Sequence, residues 1–325
     1  MSGLAESRTW DSLLTTTLAN YRKTMVDNIF DVYPLLSWLN GKLGMSMRGN
    51  SAKKVLDGGE SIVEHLLYGT NSTARSYSGY ETLDTTPQEG MTIGRFNWKQ
   101  YSASVTMSGL EKRSNNGEAA MINLLTSKTK QAEMSLRDTM SADAFSDGTG
   151  NGGKALTGLA ALVSATATVG GLSPTTYPWW QSNTTTGAGS FAATGLSKMR
   201  TTFNSLSYGN DKPDFLVTDQ EVYEYFESAH QPQERYSNTN VLNSGFTNLT
   251  FKNVPLVFDR DCTAGYMYFL NSQYLSFVCH RDADFTTGPF VVPENQDAST
   301  AQILFQGNLT TNNRRKLGVI QGFTA

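Results

Sequence analysis

What the sequence has little of narrows its chemistry first. Only three histidines occur in 325 residues, His65, His230 and His280, and none pair at the H-x-x-x-H or H-x-H spacing that brings two imidazoles to one metal. The two cysteines, Cys262 and Cys279, form no C-x-x-C pair, so there is neither a disulfide framework nor a structural zinc signature. Free thiols at that density fit a reducing compartment. Charged residues make up 17% of the chain and sum to −3, which excludes a global basic field for gripping nucleic acid. No lysine lies between Lys54 and Lys99, and Arg75 and Arg95 stay protonated, so that stretch carries no amine nucleophile. The most apolar run, Leu156 to Leu172, is broken by Thr, Ser and Gly and is too short to span a bilayer. The opening MSGLAESRTWDSLL lacks the basic region and apolar core of a secretory signal. No cofactor is expected.

What is abundant is Gly, Ser, Thr and Asn, a texture that suits a β-rich and loop-rich protein. Trp10, Leu14, Leu18, Tyr21 and Met25 recur at three- and four-residue steps and predict an amphipathic opening helix. A short second helix is expected at Pro34–Asn40, with Pro34 in its first turn and Gly41 as its stop. These two helices read as an arm that packs on something else. Ile62, Glu64 and Leu66 alternate with Val63 and His65, and Ile93 to Val105 reads as a second strand. The polar segment between them completes a long two-stranded excursion. An isolated ribbon of that kind is marginal in water and needs a partner.

The longest helical pattern runs from Asn116 to Ser146, capped by Asn115 with Glu118 as capping-box partner, and Gly148 closes it. At 1.5 Å per residue it spans roughly 46 Å. Beyond it, Leu196, Met199, Phe203 and Leu206 mark one helix, and Val222, Phe226 and Ala229 mark another after the strand DFLVT. The chain closes on two strands around the polar loop TTNNRRK.

Candidate chemistry is thin. GTGNGGKA, Gly148 to Ala155, matches the core of a phosphate loop, but Ala155 stands where a magnesium-binding Ser or Thr is required. It also follows a helix instead of a strand, so the glycines read as a helix stop and joint. DRDC, Asp259 to Cys262, falls between two strand patterns and reads as a turn. A hydrolase built on Cys262 and His280 has no spacing to support it. Trp179 and Trp180 read as anchors pinning a loop to its own domain. NNRRK, Asn312 to Lys316, reads as a solvated hairpin tip or ion-pair partner.

Charge is unevenly placed. Between Val55 and Gly94, six carboxylates (Asp57, Glu60, Glu64, Glu81, Asp84, Glu89) face one arginine, a net of −5. Between Lys112 and Arg137, five bases (Lys112, Arg113, Lys128, Lys130, Arg137) face two acids, a net of +3. Complementary patches of this kind suit docking between copies.

The order of parts, with VDNIFDVYPLLSWL, LDGGESIVEHLLYG and TFKNVPLVFDRDCTAGYMYFLNSQYLSF, resembles the major capsid protein of tailed bacteriophages, the Hong Kong 97 fold. The resemblance spans essentially the whole chain. It implies an α+β fold with an N-terminal arm over 1–50, an extended β loop over 51–108 and a peripheral domain with a long spine helix over 109–150. An axial domain over 151–270 and returning peripheral strands over 271–325 complete it. It further implies no enzyme, but a virion protein assembled in a host bacterial cytoplasm, with copies forming hexamers and pentamers around double-stranded DNA. With the arm at the start of the chain, a separate scaffolding protein is the expected assembly partner, beside a portal protein and a decoration protein. DNA contact would be non-specific, and no membrane is involved. Some members lock their shells with a lysine–asparagine isopeptide bond, which a lysine-free loop does not provide. An encapsulin-like nanocompartment shell shares the implied fold.

Overall fold

The computed structural model describes residues 33–40, 52–114, 124–234, 249–294 and 296–325. The helix expected over residues 10–25 and the Asn115–Glu118 capping box lie outside the described residues.

In chain order the elements are helix α1 (Pro34–Leu39), strands β1 (Lys53–Leu56), β2 (Ile62–Leu67), β3 (Met91–Phe96) and β4 (Lys99–Ser108), then helices α2 (Gly109–Ser114) and α3 (Leu124–Phe145). After a glycine-rich turn come β5 (Asn183–Thr185), β6 (Gly189–Ser190), helix α4 (Leu196–Leu206), β7 (Phe215–Thr218) and helix α5 (Gln220–Glu234). The remaining strands are β8 (Thr250–Phe251), β9 (Val254–Phe258), β10 (Tyr266–Leu270), β11 (Leu275–His280), β12 (Thr286–Thr287), β13 (Ala298–Thr311), β14 (Gly318–Gln321) and β15 (Phe323–Thr324). The described chain forms two compact units. The smaller takes Gln100–Met140 and His280–Gln306, and the larger takes Tyr33–Lys99, Ser141–Cys279 and Gly307–Ala325.

The larger unit is built on a six-stranded sheet in the order β5-β14-β10-β7-β9-β8. Pairing is mixed: β7 runs parallel to β9 and antiparallel to β10. Every residue of β7, FLVT, is buried, as a central strand covered on both faces requires. Helices α4 and α5 cover one face. Met199, Phe203 and Leu206 share a stripe because their four- and three-residue steps match the helical period, and they pack with Phe226, Leu216 and Phe269. The short strand β14 also lies in this sheet, with Met267 opposite Ile320.

Helix α1 is short, yet Leu35, Leu36, Trp38 and Leu39 are all buried, and Trp38 stacks on Phe215 at 4.8 Å. The short helix read as packing on something else is covered within its own unit. The backbone N–H of Leu35 donates to Asp259 Oδ2 at 3.2 Å, and that of Asp261 donates to Oδ1 at 3.1 Å. DRDC is thus a turn between β9 and β10 whose first aspartate holds the start of α1. Burial pushes the Asp259 carboxyl above its ordinary value.

The long helix ends where expected. Gly148 adopts φ +82°, and a Cβ there would meet the Leu156 carbonyl oxygen at 3.0 Å, so glycine is required. In the smaller unit, Leu136 and Met140 on α3 are buried. Arg137 lies over the Phe285 ring at 5.5 Å, and Phe285 packs on Phe305 of β13 at 4.9 Å.

NNRRK is split: Lys316 lies 3.4 Å from Asp211, as the ion-pair reading expected, while Arg314 departs from the solvated tip. Arg314 has no exposed surface. Its Nε donates to the Leu162 carbonyl and its Nη1 to Ala167, each at 2.9 Å. Its Nη2 donates to Ala161 at 2.9 Å and to Ser164 at 2.6 Å. The guanidinium carbon sits 5.8 Å from the Trp180 ring centre. Burial lowers its pKa to about 10, which leaves it charged at neutral pH. Four carbonyls, two at the end of the one-turn helix Leu159–Leu162 and two in the loop after it, thus share one donor group. Arg314→Leu should lower the unfolding free energy by on the order of 2 kcal/mol or more, since the Ala161 and Ala167 carbonyls lose their donor at ~1 kcal/mol or more each, while those of Leu162 and Ser164 keep bonds from Ser182. Arg314→Lys should recover only part, because an ammonium cannot span the four acceptors. Urea midpoints of the three proteins check this, and equal midpoints would show that the cage contributes nothing.

Candidate assembly interface

Among the described residues, the ribbon of β2 and β3 carries several exposed apolar side chains. Strands β2 and β3 pair antiparallel, with Ile62 opposite Phe96, Glu64 opposite Gly94 and Leu67 opposite Met91. The alternation read from the sequence holds: Ile62, Leu66 and Phe96 are buried on one face, while Val63 and Leu67 stand exposed on the other. Beyond Leu67 and Met91 no regular pairing continues. Tyr77, Leu83 and the fully exposed Tyr80 project from the open end. Local turns hold it: Asn71 Oδ1 accepts from the Thr73 N–H, and Asp84 Oδ1 from the Thr86 N–H, both at 2.9 Å.

The expected strand Ile93–Val105 is interrupted at Asn97–Trp98, where β3 gives way to β4. The Asn97 carbonyl accepts from Asn308 Nδ2 at 2.8 Å, and Trp98 Nε1 donates to the Gly59 carbonyl at 2.8 Å. Side-chain bonds of this kind end a ladder without changing β propensity, so composition alone could not show the break.

The tryptophan pair does what its position suggested. Trp180 is buried with Leu66 and Leu172, and its Nε1 donates to the Val169 carbonyl at 3.0 Å. Trp179 stacks flat on Tyr68 at 5.0 Å. The pair pins the base of the ribbon to its own unit.

Glu60, Glu81, Asp84 and Glu89 are exposed along the ribbon and its approach. Glu64 differs. It lies on the inward face, accepts from Thr310 Oγ1 at 2.9 Å and approaches Lys54 at 3.8 Å. Three of the five bases singled out have partners in their own unit. Lys128 reaches Glu111 at 2.8 Å, Arg113 reaches Asp297 at 2.6 Å, and Arg137 lies 3.8 Å from Glu133. Lys112 and Lys130 are exposed. Lys112 and Arg113 line an open cavity of about 380 Å³ with Val292 and Asp297.

One device went unread although its letters are present. In S-G-L-E, the Ser108 N–H donates to Glu111 Oε2 at 3.0 Å, and the Glu111 N–H donates to Ser108 Oγ at 3.2 Å, a capping box opening α2. Its Glu111 carboxylate then ties to Lys128 on α3.

The alternative Cys262–His280 chemistry finds no support in the thiol. Burial, with the Asp259 and Asp219 carboxylates nearby, pushes the Cys262 thiol well up, the opposite of an activated thiolate. The His280 ring accepts the Asp282 N–H at 3.1 Å. Among the described residues no group of three or more His, Cys, Asp or Glu could hold a metal. Among them, too, no helix is long and apolar enough to cross a membrane.

The bond to Lys128 holds the Glu111 carboxyl below its unfolded value of 4.5. The resulting stabilisation is present above that value and is lost as pH falls through the folded pKa. Glu111→Gln keeps the capping box but removes the ion pair. It should lower stability near pH 7 by less than about 1 kcal/mol, because the pair is partly exposed. Parent and variant should converge in thermal melts as pH falls through the folded pKa, below the unfolded value of 4.5; a constant gap would show that the pair is not what stabilises.

No family model matches the chain, and no curated protein does. Known structures do. The chain is similar over 95% of its length to 98% of a chain in the Cyanophage A-1(L) capsid asymmetric unit, at 16% identity and a TM-score of 0.67. It is similar over 99% of its length to the whole of a chain in the capsid of Myoviridae phage XM1, at 12% identity and a TM-score of 0.55. A chain of the holo-SrpI encapsulin complex from Synechococcus elongatus PCC 7942 matches at 10% identity, a TM-score of 0.59 and 95% coverage of both chains. At such identities the likeness shows fold. The α+β capsid fold that the sequence resembled is the fold of this chain.

Proposed function

We propose that this chain is a phage shell protein whose copies assemble into hexamers and pentamers of an icosahedral head around double-stranded DNA. Fold alone does not give function. The reading rests on the ribbon: a two-stranded sheet with Leu67, Tyr77, Tyr80, Leu83 and Met91 more than half exposed. Such a ribbon is marginal in water, and exposed apolar surface of this extent marks an interaction site. The partner that best supplies the missing cover is another copy. In this reading residues 51–108 form the extended loop, the spine and its strands a peripheral domain, and the six-stranded sheet the axial domain. Scaffolding, portal and decoration proteins are the further partners, and the DNA contact is weak and sequence-independent, as a net charge of −3 suggests.

The acidic ribbon (Glu60, Glu81, Asp84, Glu89) is proposed to meet the basic stretch of a neighbour through Lys112, Lys130 and the cavity beside Arg113. Each exposed pair contributes at most about 1 kcal/mol, but the seam repeats at every subunit. A second reading, an encapsulin-like shell around protein cargo, draws on the SrpI likeness and differs in what the particle encloses.

Electron microscopy of the expressed chain should show closed particles, and the material inside separates the two readings. Deleting Asn71–Glu89 should leave a soluble, folded chain that forms none; normal particles from the deletion would count against the assignment. Reversing Glu81, Asp84 and Glu89 to Lys should lower particle yield, and adding Lys112→Glu and Lys130→Glu should partly restore it. No recovery would mark these charges as ordinary solvated faces.

A further inference from the structure

We infer that the direction of the ribbon is set by one irregular anchor in its own unit, and that Gly170 and Trp179 are positioning residues for the contact the ribbon makes with another copy. The inference rests on the assembly reading above.

The anchor is the segment from Val169 to Trp180, and the ribbon touches it backbone to backbone. The Arg95 N–H donates to the Gly170 carbonyl at 3.0 Å. A Cβ on Gly170 would lie 3.3 Å from Gly94 Cα and 3.4 Å from the Phe96 ring, and Gly170 holds φ +63°. Gly170 is therefore needed for β3 to lie this close, whereas a Cβ on Gly94 would make ordinary contacts at 3.6 Å or more. A side chain at Gly170 would press on the strand.

A second line of contact runs through aromatic rings. Leu66 packs on Trp180, Trp179 meets Trp180 edge-on at 5.6 Å, and Tyr68 stacks on Trp179 with 10° between planes. The anchor has few ladder bonds of its own, so its rigidity comes from below. Arg314 lies beneath Trp180, and Ser182 Oγ donates to the same Leu162 carbonyl that Arg314 holds, at 3.0 Å.

From Thr70 outward the side chains are almost all exposed. About eleven residues per limb reach at most ~35 Å from that base. A tilt of about ten degrees at the anchor would displace such a tip by roughly 6 Å, more than one strand spacing. A small change at Gly170 or Trp179, neither of them on the outer ribbon, is therefore enough to misplace the docking residues.

The test uses spin labels on Leu67→Cys, at the end of the paired ribbon, and Thr201→Cys in unassembled protein; both native cysteines are buried. The parent should give one narrow distance distribution. Gly170→Ala should shift it, Trp179→Ala should broaden it, and Trp179→Phe should restore it. A broad parent distribution, or variants identical to the parent, would overturn the anchor. Trp179→Ala should also give aberrant or no particles while the chain stays folded, with Trp179→Phe normal. Normal particles from Trp179→Ala would overturn the positioning role. If the parent itself forms no particles, the shell reading fails, and the distance measurement still decides the anchor.

Discussion

One buried cation carries much of the architecture. Between Ala155 and Asn183 the chain has little regular ladder, so its carbonyls need donors that a sheet would otherwise supply. Arg314 provides them from a distant part of the sequence, closing a cage over Ala161, Leu162, Ser164 and Ala167. A delocalised guanidinium suits this task because its donors point outward in a fixed plane and its face accepts a ring. Trp180 rests on that face, Leu66 rests on Trp180, and the ribbon follows.

Regular elements were readable where a period was uninterrupted. The stripe Met199, Phe203, Leu206 and the alternation Ile62 to Leu66 announce buried faces because side-chain direction follows backbone period. Gly148 announces a helix end because its conformation excludes other residues. What escaped reading depends on partners far away in sequence. Nothing local separates Arg314 from Arg315, or shows that α1 finds its cover on Phe215 and Asp259. The break at Asn97–Trp98 is hidden for the same reason.

The candidate interface was legible in outline and not in detail. Counting charges located an acidic ribbon and a basic helix, yet a count cannot tell a charge aimed outward from one already paired. Glu64 turns inward to Thr310, and Lys128 closes on Glu111. Those residues stabilise their own unit, which leaves Glu60, Glu81, Asp84, Glu89, Lys112 and Lys130 among the outward-facing charges. The capping box at Ser108 and Glu111 was written plainly in four letters, but it lies just before a much longer helical pattern that draws attention from it.

The outer ribbon also bears on the life of the lone chain. A surface proposed to meet a copy of itself is indifferent to whether pairing is ordered, and open strand edges beside exposed aliphatic residues invite aggregation. Its sequence tempers that hazard. Tyr77, Tyr80, Leu83 and Met91 never run together; Glu81, Asp84, Pro87 and Glu89 are set among them as gatekeepers. The same carboxylates proposed to select the right neighbour would keep newly made chains apart until concentration and geometry favour a closed particle.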